Sequence, residues 1–325
     1  MLTVALLTYS HYRFINDCLE GILNQKTNFP FHCLIADDCS NDGSHKIIES
    51  FIQKFPKIFS LIKRQQNLGK FTGGNGRLNG LHAYSLVKSK YVAVCDGDDY
   101  WTDPYKLQKQ VDYLEANPNC SICTHWVDQK IEKEDSIVID SSKYNGFQET
   151  DFFDRKSVFQ NDKVIAFHAS SFVFRRSCVP IITKIPTSIA TGDTWVTLAC
   201  LTKGHGYCIQ ESMSTYRVHN ASTWTPSSTY RRFLNSLHFL LRLSWSFPIQ
   251  YGKIALKKFL FSFNKISLSD FVSLDPVDYQ KSNYELKSKD PIFFSAIYII
   301  LTTKIFWETL QNIISKFRIF IGQKI

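Results

Sequence analysis

YVAVCDGDDYWTDPYKLQKQ, residues 91–110, runs from an apolar segment into three carboxylates and out into a helical pattern. Tyr91 to Cys95 reads as a buried strand, and Asp96, Asp98 and Asp99 stand at its exit. In extended chain Asp96 and Asp98 face the same way, and at roughly 5 Å and an effective dielectric near 20 they repel by about 3 kcal/mol. A divalent cation is the obvious group to offset that cost. Downstream, Asp103 fits a helix N-cap and Pro104 the first helical position, with Leu107, Val111 and Leu114 recurring at helical spacing.

The same rhythm precedes this stretch. LTVALLT is a continuous apolar run, and FINDCLEGILNQ then places Phe14, Cys18, Leu19, Ile22 and Leu23 on one helical face. FHCLIADD is a second run ending in acids, followed by GSHKIIESFIQKF with Ile47, Ile48, Phe51, Ile52 and Phe55 on one face, and by KIFSLIK. Strands that are apolar throughout, alternating with amphipathic helices, predict an α/β fold with a mostly parallel sheet covered on both sides. Such sheets bind ligands at the carboxyl ends of their strands. Three polar features gather there: Thr8-Tyr9, Asp37-Asp38 and Asp96-Gly97-Asp98.

Beyond residue 120 the pattern is less regular: HASSFVFRR (168–176) reads as a strand, TGDTWVTLACLTKGHGY (191–207) as a loop leading into a helix, and ESMSTYRVHNASTW (211–224) as a strand entering a polar loop. Composition divides the chain near residue 225. Residues 1–225 carry 24 Lys+Arg against 23 Asp+Glu, whereas residues 226–325 carry 14 against 6. The division predicts a body at 1–225 with halves at 1–119 and 120–225, and a basic, aromatic, mainly helical C-terminal extension at 226–325. Within the extension, PIFFSAIYIILTT offers 13 uncharged residues before Lys304, short of the roughly 18–20 a spanning helix needs. It reads either as an amphipathic segment lying in a membrane interface or as a buried helical pair. Its charges are interleaved with apolar residues rather than clustered, which favours an anionic lipid surface over nucleic acid.

Nine cysteines without a repeated spacing, and an opening MLTVALLTYS without a basic leader region, lead to the expectation of a cytoplasmic protein with free thiols. Cys120 and Cys123 form the one Cys-x-x-Cys, but only His125 lies nearby and no second pair follows, so half-buried thiols are expected rather than zinc. No Gly-x-Gly-x-x-Gly follows the first strand, and KFTGGNGRLNG (70–80) lacks the Gly-Lys-Ser/Thr of a phosphate-binding loop. The strand-end Asp-x-Asp also occurs in haloacid dehalogenase-type phosphatases, where a later Lys and a second acidic pair accompany it; neither can be placed here.

Taken in order, VALLTYSHYRFINDCLEGILNQ, LIADDCSNDGS, NLGKFTGGNGRLNGL, YVAVCDGDDYWTDPYKLQKQ, ASSFVFRR, TGDTWVTLACLTKGHGY and YRVH resemble the successive elements of a family-2 glycosyltransferase with the GT-A fold, over about residues 1–222. The resemblance implies a Rossmann-like sheet and an inverting transfer of sugar from a nucleotide-sugar, UDP-linked by preference. It implies Mn2+ or Mg2+ as cofactor and a glycan or polyprenyl-linked acceptor met at the cytoplasmic face of a membrane.

The resemblance also assigns residues. Thr8, Tyr9, Asp37 and Asp38 line the nucleoside pocket, where a carboxylate accepts from a base N–H and an aromatic walls the ring; a helix-terminal acid cluster is the alternative for the two aspartates. Arg77 and Asn79 lie near the donor, in a loop longer and richer in glycine than usual, so a surface turn is their alternative. Asp96 contacts the ribose or the metal site, and Asp98 is the principal metal ligand; Asp99 points elsewhere, with helix capping its plain role. His219 joins the metal or the diphosphate, with a hydrogen-bonded structural role its alternative, and Arg217 neutralises the diphosphate by a bidentate contact, with a surface salt bridge its alternative. Asp193 is the base that takes the acceptor hydroxyl's proton, with a helix N-cap its alternative. Gly192 stands where the family usually has Glu. Trp101 forms part of the donor or acceptor wall, with packing under the turn its alternative, and Trp195 joins the acceptor side or the wall. Two other classes fit parts of the pattern: a phosphohydrolase using Asp-x-Asp, and a non-catalytic sugar-nucleotide-binding protein on the same scaffold.

Overall fold

A computed structural model describes residues 1–62, 64–69, 76–133, 136–140, 151–155, 157–159, 167–185 and 192–219. They belong to the first of two compact units, Met1–Pro226; the second, Ser227–Ile325, lies outside the described residues, and with it the expected helical extension and its membrane contact.

In chain order the elements are β1 (Leu2–Thr8), α1 (Ile15–Leu23), β2 (Phe31–Asp37), α2 (Ser44–Lys54), β3 (Phe59–Leu61), α3 (Arg77–Leu86), β4 (Tyr91–Asp96), β5 (Tyr100–Trp101), α4 (Lys106–Ala116), β6 (Cys120–Lys133), β7 (Ser136–Asp140), β8 (Phe152–Phe153), β9 (Val173–Arg175), α5 (Val179–Ile182), α6 (Gly192–Cys200) and β10 (His205–Val218). The described strands form one sheet in the order β3-β2-β1-β4-β9-β6-β10-β5, with β7 on β6 and β8 on β10. The longest ladders are parallel: β1 with β2 and β4, and β6 with β10. β9 runs antiparallel between β4 and β6 and joins the two parallel halves.

The central strands read as unbroken apolar runs because both faces are covered. Leu2, Val4 and Leu6 of β1 and Tyr91, Ala93 and Cys95 of β4 pack with Ile15, Cys18, Leu19 and Ile22 of α1, Ile48 and Phe51 of α2, and Leu107, Val111 and Leu114 of α4. Each fully buried Leu or Ile contributes about 1.5–3 kcal/mol relative to exposure. The fourth helix begins at Lys106 rather than at Pro104. Asp103 caps the turn before it, its Oδ1 accepting from the Tyr105 N–H at 2.7 Å.

Register aligns the strand ends. Thr8 stands opposite Asp37, and Leu7 opposite Asp96, so the polar termini of three adjacent strands lie level along one edge. β10 shifts register against β6 between Ile209 and Ser214. Beyond that irregularity Ser214 and Thr215 pair with Trp101 and Tyr100, which brings the end of β10 against the acidic turn after β4.

Candidate active site

Gly97 lets the acidic turn sit directly on the end of β1. Its N–H donates to the Leu7 carbonyl at 2.7 Å, and a Cβ there would stand 2.5 Å from Thr8 Oγ1 and 3.0 Å from His11 Nδ1. No side chain fits that space. The turn closes with Asp99 N–H on Asp96 O at 3.0 Å.

The three carboxylates of this turn have different fates. Asp99 is buried and points inward: Oδ1 accepts from the Arg217 backbone N–H at 3.0 Å, and Oδ2 lies 3.7 Å from His168 Nδ1. Burial, then the charges of Asp98 and Asp96, push its pKa well up. Asp96 is pushed well up too, first by burial and then by Asp98 and Asp193. Burial acts on Asp98 in the same direction, but His11 and His219 outweigh it and hold its pKa below the ordinary carboxylate value. Their Nε2 atoms lie 3.6 and 3.4 Å from the same oxygen, Asp98 Oδ2. Of three adjacent acids, Asp98 alone is held ionised by its surroundings, which relieves much of the expected repulsion.

Asp98 and His219 are the two side chains here whose chemistry fits a cation. Hard divalent ions take one or two carboxylates and complete their shell with phosphate oxygens and water, and imidazole suits manganese. Asp98 is partly open to solvent; His219 is buried, with Nε2 toward Asp98 and no hydrogen-bond partner for Nδ1. Among the described residues no three His, Cys, Asp or Glu side chains are grouped to hold a metal unaided. A cation here would therefore depend on ligands from the donor.

On the far side of β1, Thr8 is buried with Oγ1 3.3 Å from His11 Nδ1, while Tyr9 is exposed. Ser10 and Cys39, just past β1 and β2, both have positive φ (56° and 69°), and Ser10 N–H donates to Ser40 Oγ at 2.8 Å. Two non-glycine residues in the left-handed region at facing strand ends store backbone strain at this edge. Asp37 accepts from Ser40 N–H and Oγ, and burial raises its pKa. Asp38 is engaged by its own chain: Oδ1 and Oδ2 accept from the Leu68 and Gly69 N–H groups at 2.7 and 2.8 Å. Asn79 likewise faces inward, donating to Ala36 O at 2.6 Å and accepting from Arg64 Nε at 2.7 Å. Arg77, at the start of α3, is buried, which lowers its pKa to about 10. The rest of the glycine-rich loop, 70–75, lies outside the described residues.

Asp193 lies in the first turn of α6 and is partly covered; burial raises its pKa to about 6, against a lowering contribution from the Ala169 backbone N–H. Its charge raises Asp96 and Tyr84 alike, so it shares a local field with the mouth of β4. Gly192 has open space where a side chain would project. Trp195 packs inward with Nε1 on Ile182 O at 3.2 Å. Trp101 also packs under the turn, its Nε1 donating to Ser170 O at 3.0 Å and its ring 4.2 Å from Lys106 Nζ. Neither indole lines an open wall.

Arg217 is buried and already engaged by its own chain. Nη1 donates to Asp98 O at 2.9 Å, Nη2 pairs with Asp17, and the guanidinium lies over Tyr100 at 4.3 Å. The sequence reading did not single out His11, Asp17, Arg64 or His168. The Thr8-x-x-His11 spacing was the one local signal for any of them; the others meet the site through contacts across the fold.

Comparison with known proteins adds five findings. The family model described as glycosyl transferase family 2 matches residues 3–179, ending before Asp193, Arg217 and His219. An uncharacterized protein of Mycobacterium tuberculosis is 31% identical over 71% of this chain, which spans 62% of that relative's length. A Bacillus subtilis protein with the name "Putative teichuronic acid biosynthesis glycosyltransferase TuaG" is 25% identical over 79% of this chain and 97% of its own. Among solved structures, S. aureus TarS 1–349 in complex with UDP-GlcNAc has a TM-score of 0.61 at 13% identity, covering 88% of this chain and 80% of that one. The mannosyltransferase PcManGT of Pyrobaculum calidifontis, in complex with GDP-Man and Mn2+, has a TM-score of 0.56 at 15% identity over 94% of this chain and 87% of its own. These two likenesses concern the fold, and both neighbours carry nucleotide-sugars. With the parallel half-sheet, the level strand ends and a family match over more than half its length, the chain belongs to glycosyl transferase family 2.

Proposed function

We propose that this glycosyltransferase transfers a hexosyl or N-acetylhexosaminyl group, with inversion, from a UDP-sugar to a hydroxyl of a glycan or polyprenyl-linked acceptor. The observation that carries the reading is the 3.4 Å approach of His219 Nε2 to Asp98 Oδ2 beside the level ends of β1, β2 and β4; the effect of the Asp193 charge on Asp96 supports it. The catalytic unit is residues 1–225, with the donor on the 1–119 side and the acceptor on the 120–225 side.

Asp98 and His219 would hold the divalent cation, Mn2+ or Mg2+, which supplies charge neutralisation at the leaving diphosphate. Tyr9, the exposed aromatic at the end of β1, walls the base, with Thr8, Asp37 and Asp38 at the floor of the pocket. Asp38 does so while ordering the loop at Leu68 and Gly69. Asp96 faces the ribose, and Arg77 and Asn79 support the pocket from α3. On the acceptor side the Asp193 carboxylate takes the hydroxyl proton as the acceptor oxygen bonds to the anomeric carbon. The bond from that carbon to the diphosphate oxygen breaks, and the diphosphate leaves with the electron pair. A base pKa near 6 is suited to this, being ionised at neutral pH yet basic enough to take a proton late in the reaction. Gly192 leaves room for the acceptor beside it.

The basic segment 226–325 would dock at the cytoplasmic face of a membrane, where about 1 kcal/mol per Lys or Arg is available from anionic lipid. Among the described residues no helix is long and apolar enough to cross one. TuaG, named for teichuronic acid synthesis, supports a cell-surface glycan as the acceptor class.

The test is a thermal-shift screen of UDP-, GDP- and dTDP-sugars with and without manganese, followed by acceptor trials with Asp193→Asn. Stabilisation grows with ligand concentration over Kd, so weak donors register. UDP-sugar stabilisation that survives Asp193→Asn, with transfer lost, supports the reading; near-normal transfer by that variant removes Asp193 as the base.

A further inference from the structure

Arg217 is a buried cation bound to the acidic turn, with its guanidinium already committed to groups of this chain. It is 3% exposed. Its backbone N–H donates to Asp99 Oδ1 at 3.0 Å, and Nη1 donates to the Asp98 carbonyl at 2.9 Å. One residue of β10 thus holds the turn from both its backbone and its side chain. The guanidinium is in turn fixed by three groups from other elements: Asp17 of α1, whose carboxylate accepts from Nη2, and the rings of Tyr100 at 4.3 Å and Phe14 at 5.3 Å. Phe14 packs on the His219 ring as well, with centroids 4.4 Å apart. The two groups proposed to meet the cation, Asp98 and His219, therefore both rest on the Arg217–Phe14 assembly.

We propose that Arg217, oriented by Asp17, is a positioning residue: it sets where the Asp98 carboxylate and the His219 imidazole stand for a divalent cation, rather than contacting the diphosphate itself. The physical case is one of commitment. A charged hydrogen bond to a carboxylate is among the stronger contacts a guanidinium makes, and two stacked rings favour its planar face. Releasing it toward a ligand would strip the Asp98 carbonyl of this donor and leave Asp17 unpaired. Asp17, in the first turn of α1, is itself largely exposed at 57%. It can thus be altered without cutting into the core.

This inference rests on the reading of Asp98 and His219 as the cation's residues, and the experiment separates the two. Binding of UDP and of uridine to the full chain is measured with manganese and with chelator, for the wild type, Arg217→Gln and Asp17→Asn. Positioning predicts that the manganese-dependent gain in UDP affinity falls about tenfold in Arg217→Gln, the scale of losing a charged hydrogen bond. Asp17→Asn shows a smaller loss of the same kind, and metal-free UDP affinity stays unchanged in both. A metal-free preference for UDP over uridine that disappears in Arg217→Gln, or rises in Asp17→Asn as the guanidinium is freed, identifies a direct diphosphate contact and overturns the proposal. So does an unchanged manganese-dependent gain in both variants.

Hydrogen exchange over residues 91–105 is read in the same proteins without ligand. Should Arg217→Gln fail to fold, Asp17→Asn carries both measurements. Should the wild type show no manganese-dependent UDP binding, the proposed function fails. The positioning role is then judged by exchange alone: faster in Asp17→Asn if Arg217 holds the turn, unchanged if it does not.

Discussion

Asp193→Asn should disable transfer and stabilise the protein. A carboxyl whose pKa is raised from 3.8 to about 6 on folding binds its proton more tightly in the folded chain than in the unfolded one. Both states are protonated below the unfolded value, so no penalty exists there. As pH rises through the window from 3.8 to about 6, the unfolded chain ionises first and stability falls; above it the cost is constant. The full gap corresponds to about 3 kcal/mol, and because Asp193 is only partly covered, screening by solvent brings it to about 1.5 kcal/mol. Asn keeps the shape and the oxygen facing Ala169 but carries no charge to desolvate. At about pH 8 the variant should therefore melt roughly 3–6 °C above the wild type. Near pH 4 the difference should vanish. The assay is thermal unfolding of both proteins across that range, paired with transfer measurements. A variant equally or less stable at the higher pH, or an advantage that persists in acid, would refute the reasoning about Asp193's surroundings.

Transfer itself should fall on the acid side, losing about tenfold per pH unit below the Asp193 pKa of about 6; a pH–rate profile flat through that region assigns the proton to another group. Asp98→Ala should abolish manganese-dependent stabilisation by UDP, checked by thermal shift with manganese and with chelator. Gly97→Ala forces a methyl to 2.5 Å from Thr8 Oγ1, and the displacement should cost about 1–3 kcal/mol in denaturant unfolding along with donor binding. Lys106, fully buried with its pKa lowered to about 7 chiefly by desolvation, binds its proton less well folded than unfolded. Wild-type stability should accordingly rise with pH between about 7 and 10.5, and Lys106→Met should flatten that rise.

What could be read in the sequence was what local pattern encodes. LTVALLT, FHCLIAD and YVAVCD are apolar throughout because both sheet faces are covered, and their parallel register then aligns Thr8, Asp37 and Asp96 at one edge. The residues that hold the site were less legible, because their reasons lie far along the chain. Arg217 meets Asp17 across two hundred residues, and no spacing announces that pairing. Lys106 and Gln110 stand at helical spacing among polar neighbours and look solvated. They are buried instead, because Gln110 Nε2 satisfies the Cys123 and Ser171 carbonyls and Lys106 Nζ lies over Trp101 while donating to Gln110 Oε1. Asp103 and Pro104 carry strong helix-start chemistry, yet the helix begins at Lys106. There Asp103 is drawn into bonds with Tyr105 N–H and Lys109 Nζ. Trp101 packs inward because Tyr100 and Trp101 pair with β10, a partner more than a hundred residues away.

The measurement that reaches the central claim most directly is proton NMR of the first sugar product formed from an α-linked UDP-sugar, with the wild type and Asp193→Asn side by side. The account predicts a β-configured product from the wild type and none from the variant, although the variant still binds UDP. An α-configured product, or comparable turnover by Asp193→Asn, would contradict it.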